Sequence, residues 1–186
     1  MIVVEDAGID GALVLTLETQ PDLRGSFTEI YRRDFIPGMR EMVQGNLSFS
    51  RAGVLRGLHL HRRQFDYWCV VSGAITVGLY DLRAGSPTEG KKAEIPLTGE
   101  EPRRCLYIPP GVAHGFYAET DVVLQYLVDE YFTGDDEFGV SWDDPDVGID
   151  WPLGDRSPIL SDRDRSSPSL AEVLRDPPRY EPGASL

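Results

Sequence analysis

Histidine, cysteine and positive charge are all scarce in this sequence. The chain has three histidines, two cysteines, and 18 Lys and Arg against 31 Asp and Glu, leaving a formal net charge of −13. That balance argues against a general nucleic-acid or anionic-membrane binder, because both partners are themselves negative. An anionic small ligand stays open only where arginines gather locally against the global field. Cys69 and Cys105 both sit in apolar, strand-like runs, so two buried thiols in a reducing compartment are expected. No apolar run approaches the roughly 18 residues that a membrane span requires, and no charged-then-apolar leader opens the chain. A cytoplasmic protein is the expectation. Internal repeats, a Gly-rich phosphate loop and a Cys-based metal motif are also missing.

What remains is a chain of 186 residues with 41% hydrophobic content, enough for one good core. A single domain over residues 1–176 is expected, with 177–186 as a flexible tail. Short alternating or branched-apolar runs suggest strands within 1–18, where Leu13, Leu15 and Leu17 alternate with Val14 and Thr16, and at 26–31, 42–50, 67–71, 75–82, 93–97, 104–108 and 122–131. Pro37-Gly38 makes 34–40 a loop or a single helical turn. Ser72-Gly73-Ala74 is a hairpin signal between two apolar strands. The Asp- and Pro-rich segment 134–158 is expected to lie irregularly across the rest. Ser169-Leu170-Ala171-Glu172 has capping-box spacing, which predicts a short helix over 170–174. Many short strands with frequent turns favour an antiparallel sandwich or barrel over an α/β fold.

The histidines are clustered as well as few. His59 and His61 lie in Gly53-Val54-Leu55-Arg56-Gly57-Leu58-His59-Leu60-His61, and His114 lies in Ile108-Pro109-Pro110-Gly111-Val112-Ala113-His114-Gly115-Phe116. A strand sends alternate side chains to opposite faces, so His59 and His61 should point together and Leu60 away from them.

These stretches, taken in order, resemble the dTDP-4-dehydrorhamnose 3,5-epimerases, a family of double-stranded β-helix (cupin, jelly-roll) sugar-nucleotide epimerases. Arg24-Gly25-Ser26-Phe27-Thr28-Glu29 is similar to the family's RGxFxE, Gln44-Gly45-Asn46 to its QxN, and residues 53–59 to its GVLRGLH. Residues 82–88 resemble its LRxGSPT loop, 110–116 its PGxAHGF, 142–152 its WxDPxxGIDWP and 160–164 its LSxxD. The resemblance implies an all-β fold with short peripheral helices and an epimerase of a dTDP-linked 4-keto-6-deoxyhexose, working at C3 and C5 or at C3 alone. It implies no cofactor, no metal and a homodimer that exchanges N-terminal strands.

By the same resemblance, His59 is the general base and Asp164 the carboxylate that orients and charges it. Arg56 and His114 hold the diphosphate. Arg24, Phe27, Glu29, Gln44 and Asn46 surround the nucleotide, with Arg24 reaching a neighbouring subunit's site. The chemistry is reasonable: a carbon acid beside a ketone needs a base that works near neutral pH. The enolate that forms needs a nearby positive charge or hydrogen-bond donor.

Two positions depart from the family pattern. Its lysine, which steadies the enolate oxygen, falls on Asp66, and its proton-donating tyrosine falls on Phe132, with Tyr131 one position off and so on the other strand face. A rival reading uses the same stretch: His59, His61, Asp66 and Gly73 follow the HxH-x4-E-x6-G spacing of metal-binding cupins, with His114 as a fourth ligand. A cupin that binds sugar nucleotides without turnover is the third alternative.

Overall fold

The computed structural model describes residues 2–181. Its strands are β1 (Val3–Asp6), β2 (Leu13–Thr16), β3 (Thr19–Asp22), β4 (Gly25–Thr28), β5 (Gln44–Ser50), β6 (Leu55–Leu60) and β7 (Asp66–Ser72). They continue with β8 (Ala74–Asp81), β9 (Lys92–Thr98), β10 (Arg104–Ile108), β11 (Val112–Ala118), β12 (Val122–Val128) and β13 (Phe138–Gly139). Two one-turn helices follow, α1 (Asp162–Arg165) and α2 (Leu170–Val173). All the strand pairings are antiparallel, in a six-stranded sheet β1-β2-β10-β7-β12-β5, a five-stranded sheet β13-β6-β11-β8-β9 and a separate hairpin β3-β4.

The two large sheets face each other, and period-2 alternation decides which core each side chain joins. Val14, Trp68, Val70, Leu106, Ile108 and Leu124 of one sheet meet Ile75, Val77, Leu79, Val112 and Phe116 of the other. Intervening residues of the six-stranded sheet (Leu15, Tyr67, Cys69, Cys105, Tyr107) turn outward, under a cover that includes Ile30, Tyr31, Ile36 and Met39. Those of the five-stranded sheet (Leu58, Leu60, Tyr80, Ala113, Tyr117) are covered by the segment carrying Trp142, Val147, Trp151 and Leu170. Both sheets are thus apolar on both faces, which is why several strands read as nearly continuous hydrophobic runs. Cys69 and Cys105 are register partners, both buried and unlinked.

The expected elements appear with boundaries shifted by a few residues. A single 3-10 turn over Arg33–Phe35 overlaps the start of the 34–40 stretch, and the capping box forms as its spacing implies, Ser169 and Glu172 each bonding the other's backbone. The Asp-rich segment lies across the five-stranded sheet. Trp151 donates its indole N–H to the Trp142 carbonyl at 2.9 Å, and both rings join the apolar cover. Of the expected tail, residues 177–181 are described and docked: Arg179 bridges to Ala84, and Tyr180 N–H donates to the Ala84 carbonyl. The remaining five, 182–186, lie outside the described residues. Among the described residues no helix is long and apolar enough to cross a membrane.

Candidate active site

A cavity of about 480 Å³ opens between the sheets at one end of the barrel. Strand β6 supplies Arg56 and His59, and His61 follows at its end. Strand β11 supplies His114, and the opposite sheet supplies Asp66, Trp68 and Tyr126. The edge strand β5 turns Gln44, Asn46 and Ser48 inward and leaves Leu47 and Phe49 exposed on its outer side. As the alternation predicts, His59 and His61 both line this cavity while Leu60 is buried in the outer core.

His59 and His114 are direct cross-strand partners, and the β6-β11 register slips between His114 and Phe116. Glycine makes this slip possible. Gly57 has φ +126, and a Cβ there would stand 2.6 Å from Gly115 Cα and 2.9 Å from the His114 carbonyl oxygen. A side chain would meet backbone on one side and suffer a disfavoured φ besides. Gly57→Ala is therefore expected to lower stability by about 2–4 kcal/mol, from overpacking and strain together. Urea unfolding measures this, and a midpoint unchanged from wild type would show that the strands can part without loss.

His59 Nε2 lies 2.8 Å from Asp164 Oδ1. The carboxylate is almost fully buried at 4% exposure, and α1 holds it: Ser161 caps the helix, accepts from Asp164 N–H, and donates its hydroxyl to Asp164 Oδ2 at 2.6 Å. Gly57 N–H adds a long contact at 3.3 Å. Burial raises the Asp164 carboxyl, but the hydrogen bonds from His59 and Ser161 outweigh it and hold the group below the ordinary carboxylate range. An ionised carboxylate can only accept, so His59 Nε2 carries the proton and Nδ1 keeps the basic lone pair.

The other two histidines are fixed in the same tautomer as each other. His61 Nδ1 is 2.8 Å from the Asp136 carbonyl and His114 Nδ1 is 2.9 Å from the Val112 carbonyl. Carbonyls accept only, so both Nδ1 atoms donate and both Nε2 atoms bear lone pairs when the rings are neutral. Burial, partly opposed by Asp66, pushes His114 down to about 4. Asp66 is 3% exposed and accepts from Gln64 and Trp68 at 3.1 and 3.3 Å. His61, Asp66 and His114 present ligand atoms within 4.8 Å of one another.

The cavity thus gathers His59, Arg56, Gln44, Asn46, His114 and Phe132, with Asp164 behind His59. Gln44 donates to Asn46 Oδ1 at 2.9 Å, and Phe132 N–H donates to Gln44 Oε1 at 3.1 Å. Arg56 is steadied by the Ser50 hydroxyl and the Phe49 carbonyl. Arg24, Phe27 and Glu29 are not brought there. They line a different hollow beside the β3-β4 hairpin, with Arg24 paired to Asp22 and Glu29 to Arg32. Tyr131 also misses the cavity. Trp68, Tyr126, Glu137 and Arg163 do line it; the first three lie outside the quoted motifs, and Arg163 occupies a variable position of the LSxxD stretch.

A buried carboxylate fixing one histidine, arginine beside it and a roomy polar cleft are features of a site for proton transfer on an anionic ligand. Comparison with known proteins is consistent with this. The family model for dTDP-4-dehydrorhamnose 3,5-epimerase matches residues 6–172. The dTDP-4-dehydrorhamnose 3,5-epimerase of Streptomyces griseus is 38% identical over 175 residues, covering 90% of this chain and 86% of that protein. An epimerase structure from Mycobacterium tuberculosis superposes with a TM-score of 0.90 at 35% identity, covering 96% of this chain and 94% of that one. A 3′-monoepimerase from Streptomyces bikiniensis, solved with dTDP-quinovose, gives 0.83 at 33% identity and covers 90% and 87%.

Proposed function

The chain belongs to the dTDP-4-dehydrorhamnose 3,5-epimerase family, and from that premise we propose that it epimerises a dTDP-linked 4-keto-6-deoxyhexose at C3 with His59 as general base. The observation that carries this reading is the 2.8 Å contact between His59 and the buried Asp164 at the wall of an arginine-bearing cavity. His59 Nδ1 takes the hydrogen on C3 as a proton, the C–H electron pair moves into the ring, and the 4-keto oxygen becomes an enolate. Return of a proton to the opposite face of C3 completes the inversion. Asp164 stabilises the imidazolium formed in between.

Phe132 has no proton to give. Tyr126 is the phenol that lines the cavity. Burial, with Asp66 and Glu137 nearby, raises it and keeps it protonated, which suits a donor. Reaction at C3 is favoured over reaction at both centres, because Phe132, the position that aligns with the family's proton-donating tyrosine, is apolar. Arg56 supplies positive charge for the diphosphate, with Arg163 also on the cavity wall. The homodimer belongs to the same proposal. Exposed Leu47 and Phe49 on edge strand β5, 72% and 59% accessible, support a covered surface there. The β3-β4 hairpin, with Phe27 69% exposed, is the arm that carries Arg24, Phe27 and Glu29 into a partner's cavity.

Incubating the 4-keto sugar nucleotide with enzyme in deuterated water tests the reading. Deuterium should enter at C3 faster than at C5, as read by proton NMR and mass spectrometry. An enzyme that exchanges neither carbon is not an epimerase of this sugar class.

A further inference from the structure

The proposed enolate has no lysine to receive it. The chain's two lysines, Lys91 and Lys92, sit beside and on β9, and neither lines the cavity. In their stead the floor holds Asp66, a buried carboxylate that has no arginine or lysine ion-pair partner among the described residues. Its one ion-pair contact is His114 Nε2 at 3.9 Å, too long for a hydrogen bond. We infer that His61, Asp66 and His114 form a binding site for one divalent transition-metal ion, which rests on the epimerase reading only for its role and not for its existence.

Proximity, burial and outer hydrogen bonds converge on this site. The three side chains offer ligand atoms within 4.8 Å of one another, all three buried. At ligand bonds of about 2.0–2.2 Å, tetrahedral or octahedral neighbours around one ion lie about 3–3.5 Å apart, so side-chain movements on the order of an ångström close the set. Both histidines already spend Nδ1–H on backbone carbonyls, Asp136 and Val112, an outer hydrogen bond of the kind that fixes a ligating ring with Nε2 free.

Two nitrogens and one carboxylate suit Fe, Mn, Co, Ni or Zn better than calcium or magnesium, which prefer all-oxygen shells. Three protein ligands leave coordination positions open toward the cavity. His59 is not a fourth ligand, because its Nε2 is committed to Asp164. The division of labour follows. His59 moves the proton, and an ion held by His61, Asp66 and His114 would supply positive charge, +1 net after Asp66 is counted, for the enolate oxygen. The diphosphate is then left to the arginines and not to His114.

Untagged protein, purified without chelator, should contain close to one transition-metal ion per chain by elemental analysis. Protein stripped by chelation and titrated with Co²⁺ should develop visible absorption saturating at one equivalent, and Zn²⁺ should raise its thermal midpoint. Asp66→Asn and His61→Gln should weaken Co²⁺ binding by more than the ~10–100-fold that follows loss of an outer partner of a ligand, whereas His59→Ala should bind as wild type does. Circular dichroism separates loss of the site from loss of the fold. If either variant unfolds, Gln64→Ala, which frees Asp66 of an amide contact, should shift the Co²⁺ spectrum. Stripped protein with no Co²⁺ band and no thermal shift, or Asp66→Asn binding as tightly as wild type, overturns the site. C3 exchange undiminished in such metal-free protein leaves the epimerase reading standing. Conversely, stoichiometric Co²⁺ in a protein that exchanges no sugar hydrogen keeps the site and removes the epimerase.

Discussion

His59→Ala should reduce deuterium exchange at C3 by roughly 10²–10⁴-fold, the range that a positioned general base contributes, while leaving the fold intact. The side chain is 27% exposed at the cavity wall, so truncation empties no part of the apolar core. Its loss does strand a partner: Asp164 would face a vacancy with Ser161 and Gly57 as its remaining donors. Stability should therefore fall slightly. The effect should appear in kcat far more than in KM, because the imidazole acts on the hydrogen being transferred and the arginines carry the binding. Asp164→Asn should move kcat in the same direction by a smaller factor. An amide can still accept from Nε2–H, but it brings no negative charge to the imidazolium. A His59→Ala enzyme that exchanges at the wild-type rate would place the base elsewhere, with Tyr126 the next candidate on the cavity wall.

How much of this was legible beforehand follows from the range of each signal. Alternation along β6 and β8 is local, so the shared face of His59 and His61 and the inward row Ile75, Val77 and Leu79 could be read directly. The capping box at Ser169 is local too. The pairing of His59 with Asp164, 105 residues away, left no local trace and entered only through resemblance to a family. Nothing local in the sequence marks Asp66 as a buried carboxylate. Its burial depends on β7 lying between β10 and β12, a neighbourhood set by topology. Arg24, Phe27 and Glu29 failed to join the cavity for the opposite reason. They sit on a hairpin paired with neither large sheet, so a motif shared with the family can be present while its side chains point outside the chain's own site. Trp68 shows how core and site overlap: its ring packs edge-on against both Phe116 and His114, and the same side chain belongs to the barrel interior and to the cavity wall.

The second large effect lies away from the cavity, in the loop that resembles LRxGSPT. Asp81 is fully buried and accepts from Arg83 Nε and an Arg83 terminal nitrogen, each at 2.8 Å, and from Ser86 and Thr88 hydroxyls at 2.6 Å. Arg83, itself buried, donates onward to the Asp10 carbonyl at 2.7 Å. The Arg, Ser and Thr of this stretch are therefore consumed in satisfying one interior carboxylate, so its resemblance to the family reports architecture and not catalysis. Asp81→Ala leaves an arginine buried without its anion and should cost about 3–5 kcal/mol. At roughly 2–4 °C per kcal/mol for a chain of this size, the thermal midpoint should fall by roughly 6–20 °C. The pH dependence has a definite sign. Burial raises the Asp81 carboxyl, yet the bonds from Arg83, Ser86 and Thr88 outweigh it and lower the group. Its stabilising contribution is therefore present above the unfolded carboxyl's ordinary pKa and is lost as pH falls through the depressed folded value. The gap between wild type and Asp81→Ala should narrow in acid. A double variant, Asp81→Leu with Arg83→Met, should recover much of the loss, since an apolar pair of similar volume leaves no stranded charge. If the double variant were as unstable as the single one, the loop would depend on its hydrogen-bond geometry and not on charge pairing. At temperatures where the variants stay folded, C3 exchange should match wild type, because neither residue lines the cavity.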